Sequence, residues 1–118
     1  MTPGVLNLSW TRPETGVAAV AVRGDLSHGT ADRLLAEITE VTEVAGEAGL
    51  ARIVVDCAEL EFCDSHGLAV LLMIQRRLSG EMIALALDNR TVRLDRLLAL
   101  TGTATLLAGP VTKARSQS

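Results

Sequence analysis

The order of hydrophobic and polar residues near the start of the chain predicts a β-hairpin. Every second residue of 6–10 (Leu6, Leu8, Trp10) is apolar, which is the period of a half-buried strand, and 13–16 predicts a turn. Residues 17–22 are all valine or alanine. Such a run predicts a central strand that is covered on both faces, and Gly24 closes it.

The middle of the chain alternates helical and strand-like patterns. Apolar residues recur at helical intervals after Thr30, a good N-cap residue, until Gly46. The β-branched residues 53–55 predict another strand that is buried on both faces. Periodicity does not assign the continuous apolar run 68–74, but its alanine, leucine and methionine content favours a helix capped near Ser65.

The last third of the chain predicts one more strand and one more helix. Residues 82–87 have a strand pattern, and 94–101 has a helical one that stops at Gly102. The predicted order is β-β-α-β-α-β-α, an α/β fold. Residues 105–111 are a candidate edge strand that Pro110 interrupts. We expect one domain over 1–112 and a disordered polar tail over 113–118.

Composition and charge exclude several classes of protein. The 118 residues are 48% hydrophobic, so the chain has material for one core, and the longest apolar run has seven residues, far below the roughly 20 that cross a bilayer. A net charge of −3, scattered basic residues and two aromatic residues do not fit a nucleic-acid binder. We expect a cytoplasmic protein that binds neither nucleic acid nor membrane.

The cysteines and histidines offer little for catalysis or metal binding. Cys57 and Cys63 are six positions apart, and we expect free thiols rather than a disulfide. The two histidines, His28 and His66, lie in different segments without a metal-binding motif, so we expect no metal and no cofactor. An enzyme that uses one of the thiols has no base or phosphate loop in its support.

A helical wheel divides the predicted helix around 65–80 into two sides. One side carries Leu71, Ile74 and Leu78, and the other carries Ser65, Ala69, Leu72 and Arg76, with Met73 nearby. If the Leu71 side faces the sheet, Ser65 heads an apolar strip near solvent, which is a shape suited to a partner.

Four residues at the start of this helix have both a structural and a functional interpretation. Ser65 fits an N-cap or a phosphorylation site, and these roles are compatible because a helix N-terminus can hold a phosphate. Asp64 fits a second cap, a metal ligand or a local acid. Gly67 indicates close approach by another element or by a partner, and His66 fits an exposed first-turn residue.

The segment Leu60–Leu71, with Asp64-Ser65-His66-Gly67-Leu68 inside it, resembles the Asp-Ser-[Ser/Thr]-Gly-Leu signature of bacterial anti-sigma factor antagonists, the stand-alone STAS domains. Gly24-Asp25-Leu26-Ser27 is similar to the Gly-Glu-Leu-Asp-like turn of that family, and 96–102 is similar to its third-helix ending. The resemblance covers residues 5–110. It implies a mixed sheet of four to five strands with helices on one side.

The resemblance also implies a phosphorylation switch. Ser65 matches the serine that a cognate anti-sigma factor kinase phosphorylates with its own bound ATP, and Asp64 matches the acidic residue before it. The unmodified protein would bind the anti-sigma factor and release a sigma factor, and a phosphatase would reverse the modification. The residues expected to contact the partner are Ser27, Thr30, Asp64, Ser65, His66, Gly67, Ala69, Leu72, Met73 and Arg76.

Two departures from the family pattern keep a second interpretation open. His66 replaces a small hydroxyl residue, and Ser27 replaces the acidic residue of the turn. Either change could alter recognition by a kinase. The alternative is a STAS scaffold or small-ligand sensor subunit that assembles with other proteins without a phosphate cycle.

Overall fold

A computed structural model describes residues 5–107 as four strands, four helices and a short 3-10 turn. The strands are β1 (Leu6–Glu14), β2 (Val17–Leu26), β3 (Arg52–Cys63) and β4 (Ala84–Asp88). The helices are α1 (Ala31–Ala45), α2 (Ser65–Gly80), α3 (Val92–Thr101) and α4 (Ala104–Leu107), with the 3-10 turn at Gly46–Ala48. The predicted α/β fold is confirmed, and the first seven strands and α-helices have the predicted order β-β-α-β-α-β-α.

The four strands form one mixed sheet in the order β1-β2-β3-β4. β1 is antiparallel to β2, whereas the pairs β2–β3 and β3–β4 are parallel. The predicted hairpin is present, but its turn is shorter than expected and contains only Thr15 and Gly16. Pro13 lies inside β1, where the register shifts between Thr11 and Glu14, and an edge strand tolerates a proline there.

The hydrophobic core lies on one face of the sheet. Ala18, Val20 and Val22 of β2 are at most 2% exposed, whereas the residues between them are only half-buried. β3 repeats the pattern, with Ile53 and Val55 in the core and Val54 on the other face. The prediction that both strands are covered on both faces is therefore wrong. Small apolar residues occupy the open face, so the sequence looks uniformly apolar although only alternate positions enter the core.

The C-terminal part of the described chain is helical. Ala104–Leu107 forms α4, and Leu107 is fully buried. The candidate edge strand over 105–111 is wrong for residues 105–107. The remainder of that segment and the predicted tail over 113–118 lie outside the described residues.

Helix α2 is the longest helix within residues 5–107, with 16 residues. No helix in this part of the chain is long and apolar enough to cross a membrane.

Candidate functional site

The parallel pairing of β2 and β3 brings two distant loops together. The last residues of these strands, Leu26 and Cys63, are register partners, and the N–H of Asp64 donates to the Leu26 carbonyl at 3.3 Å. Parallel strands end at the same edge of a sheet. The loop before α1 and the start of α2 therefore lie side by side at this edge.

Asp64 is the residue that caps α2. Its Oδ1 accepts a hydrogen bond from the N–H of Gly67 at 2.9 Å, and its Oδ2 accepts one from the N–H of His28 at 3.1 Å. The expectation of a helix capped near Ser65 is correct in place, but the capping side chain is Asp64. One carboxylate thus ties the helix start to the loop after β2.

The charge state of Asp64 follows from these contacts. Burial alone would raise the pKa of its carboxyl group. Hydrogen bonds from the backbone N–H groups of Gly67, His28 and His66 outweigh burial, and the charge of the His66 ring adds to them, so this pKa lies below its usual value. Asp64 is a fixed carboxylate at neutral pH.

Ser65 is the first residue of α2, and its side chain is exposed. Because Asp64 supplies the cap, the Ser65 hydroxyl is free, and within residues 5–107 it has no hydrogen-bond partner. The N-terminus of a helix favours an anion such as a phosphate. An accessible hydroxyl therefore lies at a point that can hold a phosphoryl group.

Gly67 is buried where α2 touches the end of β2. A Cβ at this position would lie 2.1 Å from the carbonyl oxygen of Leu26 and 3.1 Å from the Cys63 Sγ. The predicted close approach is therefore made by another element of the same chain. Gly67 is buried, and its expected direct contact with a partner stays a prediction.

Thr30 also differs from its predicted role. It is the N-cap position of α1, but its side chain makes no capping bond. Its hydroxyl donates to the carbonyl of Asp25 at 2.7 Å and accepts from the N–H of Ser27 at 3.0 Å, and the residue is only 6% exposed. Thr30 stabilises the loop from within the fold, and its expected contact with a partner stays a prediction. The half-buried Ser27 is more exposed than Thr30.

The His66 ring lies beside the start of α1. Its Nε2 lies 3.4 Å from the Oδ1 of Asp32, and its ring meets the His28 ring edge-on with 5.3 Å between centroids. Sequence reasoning treated the two histidines as unrelated and missed Asp32. The signal that could have placed the two segments together was the mixed sheet that the family resemblance implied, because parallel pairing of β2 with β3 brings their ends to one edge.

The two sides of α2 have the predicted orientation. Leu71, Ile74 and Leu78 are at most 1% exposed. On the opposite side, Met73 is 46% exposed, Leu72 is half-buried, and Ala69 and Arg76 are exposed. We call Ser65, Ala69, Leu72, Met73 and Arg76 the α2 strip.

The two thiols are free, and both are poor nucleophiles. Burial, with a smaller effect of Asp56, raises the pKa of Cys57 to about 12, and burial together with Asp64 raises the pKa of Cys63 to about 11. A thiolate is the reactive form, so neither group is prepared for covalent catalysis. The described residues contain no cluster of three or more histidine, cysteine or acidic side chains arranged for a metal ion.

A family profile described as "Mlab, STAS domain" matches residues 10–108. Solved structures share the fold. SpoIIAA from Bacillus, an anti-sigma factor antagonist, is 16% identical; its unphosphorylated form has a TM-score of 0.70 and 90% coverage of each chain. Its phosphorylated form has a TM-score of 0.65 and covers 90% of this chain and 93% of SpoIIAA, again at 16% identity.

Two further structures widen the comparison. An anti-sigma factor antagonist from Mycobacterium paratuberculosis is 23% identical with a TM-score of 0.70, and the match covers 92% of this chain and 88% of that one. The murine anion transporter Slc26a9 is 15% identical with a TM-score of 0.66, over 79% of this chain but only 15% of the transporter. At these identities the likeness shows a common fold.

Proposed function

This chain belongs to the STAS domain family, and from that membership we propose that it is an anti-sigma factor antagonist controlled by phosphorylation of Ser65. In this proposal the unmodified protein binds an anti-sigma factor with serine kinase activity in the bacterial cytoplasm and so frees a sigma factor. The protein itself is a binding partner and a substrate rather than an enzyme. ATP is bound by the partner, and a phosphatase restores the unmodified form.

One observation carries the proposal: the free hydroxyl of Ser65 stands at the head of an exposed, partly apolar strip. The Asp64 carboxylate already caps the helix through the Gly67 N–H, so phosphorylation of Ser65 removes no hydrogen bond that the fold uses. A partner that docks on the strip must also cover Ser65.

The charge that phosphorylation adds explains why the modification weakens partner binding. Transfer of the γ-phosphoryl group of ATP to the Ser65 oxygen releases ADP and adds a charge of roughly −1.5 to −2 at neutral pH. The start of α2 favours that charge, so the domain stays folded. A partner surface that meets a neutral hydroxyl and Met73 must desolvate the phosphate on binding, and the complex is weakened.

The comparisons support this proposal at the level of the fold. SpoIIAA has been solved in both a phosphorylated and an unphosphorylated form, and both resemble this chain over nine-tenths of its length. One of the two positions that depart from the family pattern, His66, contacts Asp32 of α1, and the exposed Ser65 stays accessible to a kinase.

The direct test is incubation of the protein with a panel of anti-sigma factor kinases and ATP, followed by intact mass and peptide mapping. We expect one phosphoryl group on Ser65. The Ser65→Ala variant should stay folded and unmodified, and Ser79→Ala, at the exposed far end of the same helix, should be modified like the wild type. Phosphate on Thr30 or Thr101 with Ser65 unmodified would contradict the assignment.

A second candidate is a STAS subunit of a larger assembly that works without phosphorylation. The similarity to Slc26a9, in which the matched region is 15% of the chain, favours it, because there the same fold is one part of a larger protein. A complex that forms equally well with the wild type and with Ser65→Asp would support this candidate over the antagonist.

A further inference from the structure

A groove separate from the α2 strip lies between the end of β3 and helix α3. Its cavity has a volume of about 300 Å³ and opens to solvent. Phe62 contributes one wall, and Leu97 and Leu100 contribute the other. Phe62 is 47% exposed and Leu100 is 79% exposed, so the core does not use these apolar side chains fully. The proposed function gives this groove no role.

Two arginines give the groove a positive rim. Arg93 and Arg96 line it from the first half of α3, and both are exposed. The acidic residue between them, Asp95, is already paired with Arg90 at 2.6 Å. Among residues 5–107, neither rim arginine has an acidic partner, and Glu61 is the single carboxylate in the wall.

Along α3, the positively charged side chains come first and the exposed apolar side chains follow. The arginines lie near the N-terminus of the helix, which carries partial positive charge, and Leu97 and Leu100 follow toward its C-terminus. From Arg93 to Leu100 the helix rises roughly 10 Å. The groove thus has cationic side chains at one end and apolar side chains at the other. The distance between its ends is comparable to the length of a medium-length acyl chain.

We propose that this groove binds a free medium-chain fatty acid, with its carboxylate on Arg93 and Arg96 and its chain against Phe62, Leu97 and Leu100. An arginine guanidinium forms strong hydrogen bonds to a carboxylate, and the exposed leucines and phenylalanine are covered on binding. The C-terminal segment of the chain is a poor occupant, because Lys113 and Arg115 would repel the same rim.

The first experiment follows the backbone amides of the isotope-labelled full chain by NMR during titration with decanoate below its critical micelle concentration. We expect saturable shifts at Phe62, Leu97 and their neighbours. Decanol lacks the charge and butanoate lacks the chain, so each should bind about tenfold more weakly or worse. The Ser65→Ala variant should bind decanoate like the wild type, which separates this site from the proposed switch.

Variants test the rim. Arg93→Gln with Arg96→Gln should weaken decanoate binding about tenfold or more, because the charged hydrogen bonds are lost. The matched control, Arg52→Gln with Arg77→Gln, removes the same charge from exposed positions outside the groove and should leave decanoate binding unchanged.

The two thiols provide an independent readout. Cys63 lines the groove, whereas Cys57 is 1% exposed in the core. At alkaline pH, where part of the Cys63 thiol is ionised, bound decanoate should slow alkylation of Cys63 by iodoacetamide and leave the rate at Cys57 unchanged. Equal binding of decanol and decanoate, shifts that do not saturate, or binding of an acidic amphipathic peptide but not of decanoate would each overturn the proposal.

Discussion

At the scale of single residues, Gly67 and Asp64 hold the start of α2 against the end of β2. Gly67 lets the helix approach the Leu26 carbonyl, and Asp64 bonds to backbone N–H groups on both sides of the junction. Both contacts flank Ser65. The position of its hydroxyl therefore depends on contacts that are made within the chain.

Gly67→Ala should destabilise the protein by about 1–3 kcal/mol, because the new methyl group would overlap the Leu26 carbonyl oxygen. Gly80→Ala is the matched control in the same helix, since a Cβ there meets nothing within 4 Å. Alanine favours helix over glycine by about 0.5–1 kcal/mol, so this control should be neutral or slightly stabilising. Urea denaturation of both variants measures the difference, and equal effects would contradict the contact.

Asp64→Asn should lower the free energy of unfolding at pH 7 and have less effect in acid. The folded state depresses the Asp64 pKa below the ordinary value of 3.8. The ionised carboxylate therefore stabilises the fold above that value, and its contribution is lost as the pH falls through the lower pKa of the folded state. Urea midpoints of both proteins between pH 7 and acid should converge, and a gap that stays constant would exclude the charge as its cause.

Single-residue roles at the site were only partly predictable from the sequence. Asp64 and Ser65 are both good N-cap residues, and local sequence does not distinguish them. Thr30 is a good N-cap residue by sequence, but its hydroxyl donates to the carbonyl of Asp25 in the loop before α1. The contact between His66 and Asp32 depends on strand pairing, which local patterns do not reveal.

At the scale of elements, α2 has one face buried in the core and the opposite face exposed to solvent. Ile74 is fully buried, and its neighbour Met73 is 46% exposed. The helical wheel predicted the two sides but not which of them faces the sheet, because both carry apolar residues, and the structure places the side with Ile74 in the core. The sequences of β2 and β3 led to the wrong prediction that both faces are covered. Alanine and valine on the open face cannot be distinguished by sequence from alanine and valine in the core.

Met73→Glu should weaken the complex with the anti-sigma factor and leave stability within about 0.5 kcal/mol of the wild type, as for other surface substitutions. A charge at a contact centre should reduce the binding free energy by about 2 kcal/mol or more. Ile74→Glu, the adjacent control, should unfold the domain because it buries a charge. Calorimetric titration and thermal melts separate the two effects. Unfolding of Met73→Glu would place this residue in the core.

At the scale of the whole molecule, residues 5–107 form a sheet whose core lies on one side. The sequence patterns predicted the order of the strands and helices, because turn and capping residues mark the ends of most elements, whereas the mixed sheet was implied by the family resemblance. The family resemblance supplied the one-sided arrangement. The strand patterns alone pointed to a sheet covered on both sides.

Substitutions at the adjacent residues Ala18 and Ala19 test whether only one face of the sheet is covered by the core. Ala18 is fully buried in the core, and Ala19 lies half-buried on the open face. Ala18→Lys should prevent stable folding, because it places an unpaired charge among apolar side chains. Ala19→Lys can extend its ammonium group to water, so it should retain a cooperative urea transition. If both variants unfold alike, the second face is covered as well.

The parallel pairing of β2 with β3 also sets the order in which the site can be assembled during synthesis. The β1–β2 hairpin closes through two residues, and hairpins form in roughly 1–10 μs. The juxtaposition of Leu26 with Cys63 requires a non-local closure across α1, which is slower. Helix α2 is also incomplete until the ribosome has synthesised its last residue, Gly80. We expect nascent chains to lack the Ser65 site until the sheet has formed, so only molecules that have completed this step are available to a kinase.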